Sequence, residues 1–349
     1  MVSETPDDEE NKGGAEIHRG TGALSGGRGE VAKVVKYPFV SGASVMEMLH
    51  QTPVELLPEK STYSVQELET IWPGQSIVVC DFWVENIHQG TEIRGEKGTP
   101  CGYAQGKVIN IDHHAPVDGM SRQISSAPLA IEYVQKHGHV PQDVPVVIHH
   151  TDCDSVLSSA IMRGILPPDQ RFCDAAIATD HTGAENGIGD LLQALEKERD
   201  LVFSFSNLQK LLMGRPVDER AATMLRERQE DRQRATAIVQ QGGFHRIGDV
   251  AYTSVDKKFD AGFLPALLPD AMVIVMGSPL EEGSNLWAIK VRLGQKAPAG
   301  LRLNGLHLDK FGGRWNAGNT KRAGGCTHNP EEYARMVDVK IKEWLGAHA

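Results

Sequence analysis

Lys107-Val-Ile-Asn-Ile-Asp-His-His114, KVINIDHH in one-letter code, is a short β-branched run that stops on an aspartate and two histidines. Two other runs are built the same way. Ser76 to Cys80 (SIVVC) ends at Asp81, and Val144 to Ile148 (VPVVI) ends at His149-His150-Thr151-Asp152-Cys153-Asp154. Short apolar runs of this kind read as buried strands. Between and after them lie helical patterns. Ser126-Ala127-Pro128 opens one that runs through Lys136, with Gly138 near its end. A second follows Asp154, and a third covers Gln170 to Ala178 and closes at Thr179-Asp180-His181. Strands alternating with helices predict an α/β fold, a parallel sheet flanked by helices.

The residues that end these strands carry the chemistry. In an open parallel sheet, ligands bind beyond the carboxyl ends of the strands, where residues distant in sequence converge. Aspartates meeting there repel one another unless cations neutralise them. Mixed His/Asp ligation suits Mn²⁺ and related divalent ions, or Mg²⁺ where carboxylates dominate. Taken alone, Asp81 reads as a turn former or helix cap, Asp180 is equally bland, and His149-His150 reads as a core histidine beside an exposed one. The strings Asp112-His113-His114 and His150-x-Asp152-x-Asp154, each directly after an apolar strand, are the specific signal.

Working outward, residues 1–36 are rich in Gly, Glu and Asp and poor in large apolar groups, which predicts a disordered tail. The folded part is expected to begin near Tyr37, with a catalytic domain over 37–215. Asp218 to Gln241 is charged and free of Gly and Pro, so 216–243 reads as a helical connector stopped by Gly242-Gly243. Strands are expected at Val250 to Val255, Met272 to Met276 and Leu286 to Leu293. A last helix starts at Asn329-Pro330-Glu331-Glu332, which makes 244–349 a smaller α/β C-terminal domain.

Five cysteines, an odd number with no C-x-x-C spacing, argue against a disulfide framework and for a reducing cytoplasm. Cys153 is a poor nucleophile candidate, because flanking carboxylates raise a thiol pKa. No apolar stretch reaches the roughly 20 residues of a membrane span. The net charge of −10 excludes a broadly basic nucleic-acid coat. Against that background, Asn285 to Gly325 holds eight Lys/Arg and one acid, Asp309. Its string KFGGRWNAGNTKRAGG (Lys310 to Gly325) joins glycines, which let backbone approach a ligand, to cations suited to phosphate.

Together these motifs resemble the DHH phosphoesterase superfamily, whose members include RecJ-type exonucleases and nanoRNase/pAp phosphatases. NIDHH (Asn110 to His114), HTDCDS (His150 to Ser155), VVCD (Val78 to Asp81) and ATDHT (Ala178 to Thr182) are each similar to one of its motifs. The order departs from the family's, since the D-x-D string follows the DHH string here. The resemblance implies a metal-dependent phosphoesterase with two Mn²⁺ ions, or Mg²⁺ in their place. One ion would use His150 (or His149), Asp152 and Asp81. The other would use Asp154, His113 and Asp180, with Asp81 bridging. His114 would face the substrate phosphate and Asp112 would orient the histidines.

The C-terminal string resembles the family's glycine-rich substrate-binding segment, which assigns Lys310, Gly312, Gly313, Arg314, Lys321 and Arg322 to substrate. Trp315 stands where that segment has a histidine. The implied substrate is a short oligonucleotide or a phosphorylated nucleotide. A pyrophosphatase or polyphosphatase, and a catalytically inactive phosphate-ligand-binding protein of the same fold, are the alternatives. The sequence leaves open whether the chain forms a homodimer.

Overall fold

A computed structural model describes residues 54–60, 62–114, 124–256, 258–281 and 283–348. The expected tail and the expected start at Tyr37 lie outside them. Chain order begins β1 (Val54–Leu56), β2 (Tyr63–Ser64), α1 (Val65–Ile71), β3 (Ile77–Cys80), β4 (Val84–Glu85), β5 (Thr91–Arg94), β6 (Pro100–Gln105) and β7 (Val108–Ile111). It continues through α2 (Ser126–His137), β8 (Val146–Ile148), α3 (Cys153–Arg163), α4 (Gln170–Ile177), α5 (Gly187–Leu195), α6 (Leu201–Leu212) and α7 (Glu219–Gln240). The remainder is β9 (His245–Ile247), β10 (Val250–Ser254), α8 (Leu264–Leu267), β11 (Val273–Pro279), β12 (Trp287–Leu293), β13 (Gly312–Gly313), β14 (Ala317–Asn319) and α9 (Pro330–His348).

The first sheet has the order β1-β8-β3-β7-β6-β5. Its first four strands are mutually parallel, and β6 and β5 join antiparallel. Every residue of β3 and β8 is buried because both faces of the sheet are covered. The period of two then sorts the side chains. Val78, Cys80, Val146 and Ile148 pack under α2, α3, α4 and α6, while Ile77, Val79 and Val147 pack with Leu68, Phe82 and Ile87 on the other side. Within that core α3 is buried along its whole length. Removing a side chain such as Leu157 there costs about 2–5 kcal/mol.

The second sheet has the order β13-β14-β12-β11-β10-β9, antiparallel apart from the parallel pair β10/β11. One face packs on α9 through Tyr333, Ala334, Val337 and Ile341. That helix opens with a reciprocal cap: Asn329 Oδ1 accepts the Glu332 N–H and the Glu332 carboxylate accepts the Asn329 N–H, both at 2.9 Å. The other face buries Ile274 and Met276 against Phe263, Leu264 and the end of α7, which supplies Ala235.

The fold class agrees with the sequence expectation, and the three site-bearing strands, α2, α7 and α9 fall where their patterns put them. One local difference concerns the site. The helix expected over Gln170 to Ala178 ends at Ile177, and Ala178–Thr182 continues as a wider π turn. Helices α5 and α6 and the β5–β6 hairpin carry no sequence expectation. All five cysteines are free and buried. Among the described residues no helix is long and apolar enough to cross a membrane.

Candidate metal centre

Strands β8, β3 and β7 lie side by side, so their carboxyl ends bring Asp152, Asp81 and Asp112-His113-His114 to one edge of the sheet. Asp81 leaves β3 with φ 59°, in the left-handed region. Asp tolerates that conformation better than most residues, though it still costs about 1–2 kcal/mol. The turn is held by the Asp81 N–H donating to the Ile111 carbonyl at 3.0 Å and by Asn110 Nδ2 donating to the Phe82 carbonyl at 3.0 Å. The Asp81 carboxylate accepts from the Ser126 hydroxyl at 3.0 Å and the Ser155 hydroxyl at 2.6 Å.

His113 is the hub. Its Nε2 lies 3.5 Å from Asp81 Oδ1, 3.6 Å from Asp154 Oδ2 and 3.3 Å from Asp180 Oδ2, and the ring is completely buried. Asp180 comes from the π turn, whose geometry turns it into the centre. Two groups of side chains have mutually close ligand atoms: Asp81, His113 and His114, and His113, Asp180 and His181. His113 belongs to both.

These separations test whether a cation fits. Ligands about 2.1 Å from a metal stand roughly 3.0 Å apart in an octahedron and 3.4 Å apart in a tetrahedron. The spacings around His113 Nε2 match within a few tenths of an ångström. Asp180 Oδ2 and Asp112 Oδ2 are buried without a hydrogen-bond partner, which a bound cation would supply for at least the first. Electrostatics agree. Burial, then Asp81 and Asp180, push the Asp154 carboxyl well above the usual carboxylate range. Burial pushes Asp81 up too, but the His113 hydrogen bond, His114 and the Ser155 hydroxyl outweigh it and hold it well below that range. Asp180, raised by burial but opposed by Arg314 and His113, is held at about 2. The donor set fits a divalent ion.

Other expected residues stand differently. Asp154 accepts backbone N–H groups on both oxygens, from Ser126 at 2.6 Å and Ala127 at 2.7 Å, and so anchors the start of α2. Asp152 caps α3 by accepting the Ser155 N–H at 2.9 Å. Neither Asp152, Asp154 nor His150 joins a close ligand group among the described residues. His149 stacks on Phe82 with centroids 4.3 Å apart, and burial followed by neighbouring His150 lowers its pKa to about 3. His114 is pinned through Nδ1, 2.6 Å from Asp112 Oδ1. Its Nε2 meets Arg314 Nη1, which comes from the second sheet.

Sequence reasoning assigned no role to His181, whose ring nitrogens are 3.2 Å from the Ile124 carbonyl and 3.0 Å from Asn316 Nδ2. Trp315 is buried against it, with ring centroids 5.4 Å apart. Ser126 and Ser155 were also missed. Each sits in the first turn of a helix, Ser126 in α2 and Ser155 in α3.

A cleft of about 1320 Å³ separates the two sheets. Asp81, His114, His150 and Asp152 line one wall, while Gly313, Arg314 and Arg322 line the other. Lys310, Gly312 and Lys321 do not line it, whereas Lys290 and Arg292 on β12 do. Charge density in the string located the basic wall, but strand register decides which cations face inward. Arg314 Nη2 lies 3.3 Å from Asp180 Oδ1, and Arg292 Nη2 donates to the Asp180 carbonyl at 2.6 Å.

No protein-family model matches the sequence, and no curated protein does. Among solved structures, the chain is similar to the pGpG-specific phosphodiesterase PggH from Vibrio cholerae. Identity is 12%, the TM-score 0.39, and coverage 65% of this chain and 95% of that one. It is also similar to an exopolyphosphatase-related protein from Bacteroides fragilis, at 14% identity and TM-score 0.28, over 57% of this chain and 59% of that chain. Likenesses of this size carry no weight for the site, whose reading rests on its own geometry.

Proposed function

We propose that the protein is a metal-dependent phosphoesterase of the DHH type that hydrolyses a short oligonucleotide or a phosphorylated nucleotide. The observation that carries this reading is the apposition of an enclosed Asp/His cluster, spaced for divalent cations, with an arginine-bearing wall across a deep cleft. Asp81, His113 and Asp180 would hold the ions, with His114 and His181 at the margins. Mn²⁺ is the proposed metal, and a second ion would have to draw on Asp152 or His150. A divalent ion there supplies a Lewis acid for the phosphoryl oxygens and lowers the pKa of a water molecule.

The chain's own groups do the rest. Arg314 places a fixed positive charge beside the phosphate, where charge builds in the transition state. Asp112 orients the His114 ring through Nδ1 while Arg314 meets Nε2, so His114 and Arg314 would face the phosphate together. Asp154 fixes the helix that supplies Ser126, and Ser126 with Ser155 orients Asp81. The cleft volume exceeds the roughly 300–1,000 Å³ typical of small-molecule sites, which favours a substrate with nucleosides over bare pyrophosphate.

The test is hydrolysis by metal-stripped protein, with and without Mn²⁺, of pAp, short RNA and DNA oligomers, cyclic dinucleotides and pyrophosphate, with Asp112→Ala as control. Manganese-dependent turnover of a nucleotide, abolished in the variant, is expected. Turnover of pyrophosphate alone would move the activity to pyrophosphatase. Absence of both turnover and metal binding would sink the reading.

A further inference from the structure

We infer that Asn316, on the turn between β13 and β14, is a positioning residue for the metal centre, and that His181 links it to the start of α2 instead of binding an ion itself. This assignment rests on the metal-dependent reading of the centre and deepens it. One histidine leaves the candidate ligands, and a residue of the second sheet becomes their brace.

The direction of the hydrogen bonds carries it. Asn316 Nδ2 lies 3.3 Å from the Asp180 carbonyl and 3.0 Å from His181 Nδ1, and His181 Nε2 lies 3.2 Å from the Ile124 carbonyl. Both carbonyls can only accept. The imidazole proton therefore sits on Nε2, which donates to Ile124, and Nδ1 accepts from the Asn316 amide. Turning that amide over would set its oxygen against the Asp180 carbonyl. Moving the proton to Nδ1 would set a lone pair against the Ile124 carbonyl. His181 has a ligand atom within 4.8 Å of those of His113 and Asp180, yet one of its nitrogens carries the proton and the other is capped by the amide. Asn316 and His181 are both buried, which keeps bulk water from replacing these bonds.

The backbone of the π turn shows why a brace is needed. The Gly183 N–H reaches back to the Ala178 carbonyl at 2.8 Å and closes the turn, and the helix ends there. Carbonyls at a helix end need partners from elsewhere. At Asp180 they are Arg292 Nη2, at 2.6 Å, and Asn316. At Gly183 it is Arg232 Nη1 of α7, at 2.7 Å. Gly183 has φ 68°, and a Cβ there would come within 2.2 Å of the Gly262 carbonyl, so the turn lies directly on the segment before α8. Trp315 completes the seat by stacking on the His181 ring, 27° from parallel. At the other end, Ile124 adjoins Ser125, the N-cap of α2, and Ser126 donates to the Asp81 carboxylate. One chain of contacts thus runs from the second sheet through the backbone of Asp180 and the ring of His181 to the helix that orients Asp81.

Calorimetric titration of the metal-stripped full chain with Mn²⁺ tests the brace. Asn316→Ala and His181→Ala should each weaken binding by about 10–100-fold, the loss typical of residues that orient a ligand. The double variant should lose no more than the worse single one, because both substitutions break the same chain of contacts. Losses that multiply in the double variant, or wild-type affinity in Asn316→Ala, overturn the assignment. Circular dichroism and urea midpoints check that the variants fold. Nitrogen NMR of the histidine-labelled wild type needs no variant beyond His181→Ala to assign the signal. In weakly alkaline buffer His181 should carry its proton on Nε2, and stoichiometric Zn²⁺, which is diamagnetic, should shift a His113 nitrogen and leave both His181 nitrogens in place. A proton on Nδ1, or a His181 nitrogen that shifts as His113 does, overturns it. If the wild type binds neither ion, the metal reading has failed separately, and the metal-free spectrum decides. The His181 Nδ1 signal should then move in Asn316→Ala, and an unmoved signal overturns the link.

Discussion

Arg314 meets Asp180 directly, Nη2 to Oδ1 at 3.3 Å, so a residue from the turn between β13 and β14 closes the Asp/His cluster at the first sheet. Arg314→Ala should lower kcat by about 10²–10³, the loss typical of removing one donor to developing charge. Metal content, measured in parallel, should stay close to wild type. Arg314→Lys should recover only part of the rate, because a point charge cannot span His114 and Asp180 as the guanidinium does. Full activity in Arg314→Ala would remove the residue from the mechanism.

His113 belongs to both close groups, so His113→Gln should weaken Mn²⁺ binding more than His181→Gln does. Calorimetric titration of the stripped protein reads this directly. The same titration followed by heating should show wild type gaining about 2.7 kcal/mol at a hundredfold excess over Kd, a gain absent in His113→Gln. Equal affinities in the two variants would contradict the hub role.

Asp112 acts on the centre through His114. Asp112→Asn keeps the shape but loses the charge-assisted partner of Nδ1, and losses of about 10–100-fold in activity or metal affinity follow such changes. Turnover and calorimetric Mn²⁺ affinity of the variant check this, and wild-type values for both would remove Asp112 from the centre.

Asp260 ties the connector to the second sheet. Burial pushes its carboxyl up, and Arg228 and Arg292 hold it below the usual carboxylate range. A carboxylate whose pKa is lower in the folded than in the unfolded chain adds stability above its unfolded value. That contribution is lost as pH falls through the folded value. Asp260→Asn should therefore be less stable than wild type at pH 7, and the gap should close below about pH 4. Urea unfolding at several pH values measures it, and a gap that widened on acidification would refute the assignment.

Phe263 packs under two guanidiniums of α7, Arg228 at 4.6 Å and Arg232 at 4.3 Å from its centroid. Both arginines also reach Asp190 on α5, at 3.0 and 2.8 Å. Phe263→Ala should cost about 3–5 kcal/mol and lower the urea midpoint accordingly. A change below 1 kcal/mol would mean that the stack does not hold the connector in place.

Much of the first sheet was legible because β3, β7 and β8 are apolar on both faces and end abruptly in polar residues. The β5–β6 hairpin was not, since Pro100, Gly102 and exposed Thr91 and Glu92 blur its alternation. Helix α5 hid behind Gly187 and Gly189, although Asn186 caps it by accepting the N–H groups of Ile188 and Gly189 at 3.0 Å. At the site, Asp81 and His113 converge from far apart in sequence because neighbouring strand ends must meet, and Asp180 joins them from the π turn after α4. The pattern could not show which carboxylates also brace a helix: Asp154 accepts an N–H group from the start of α2 on each oxygen. It also could not tell which lysines turn inward, since Lys290 and Lys321 look alike in the sequence and only Lys290 lines the cleft.

The left-handed backbone at Asp81 sets the local preference of the chain against the position of its most connected carboxylate. Asp and Asn tolerate that conformation; a β-branched replacement would not. Asn and Gly are the replacements this conformation favours most, and both forfeit the negative charge at the strand end. A descendant that had lost its chemistry should betray itself here first, with an unchanged fold and an uncharged residue at position 81.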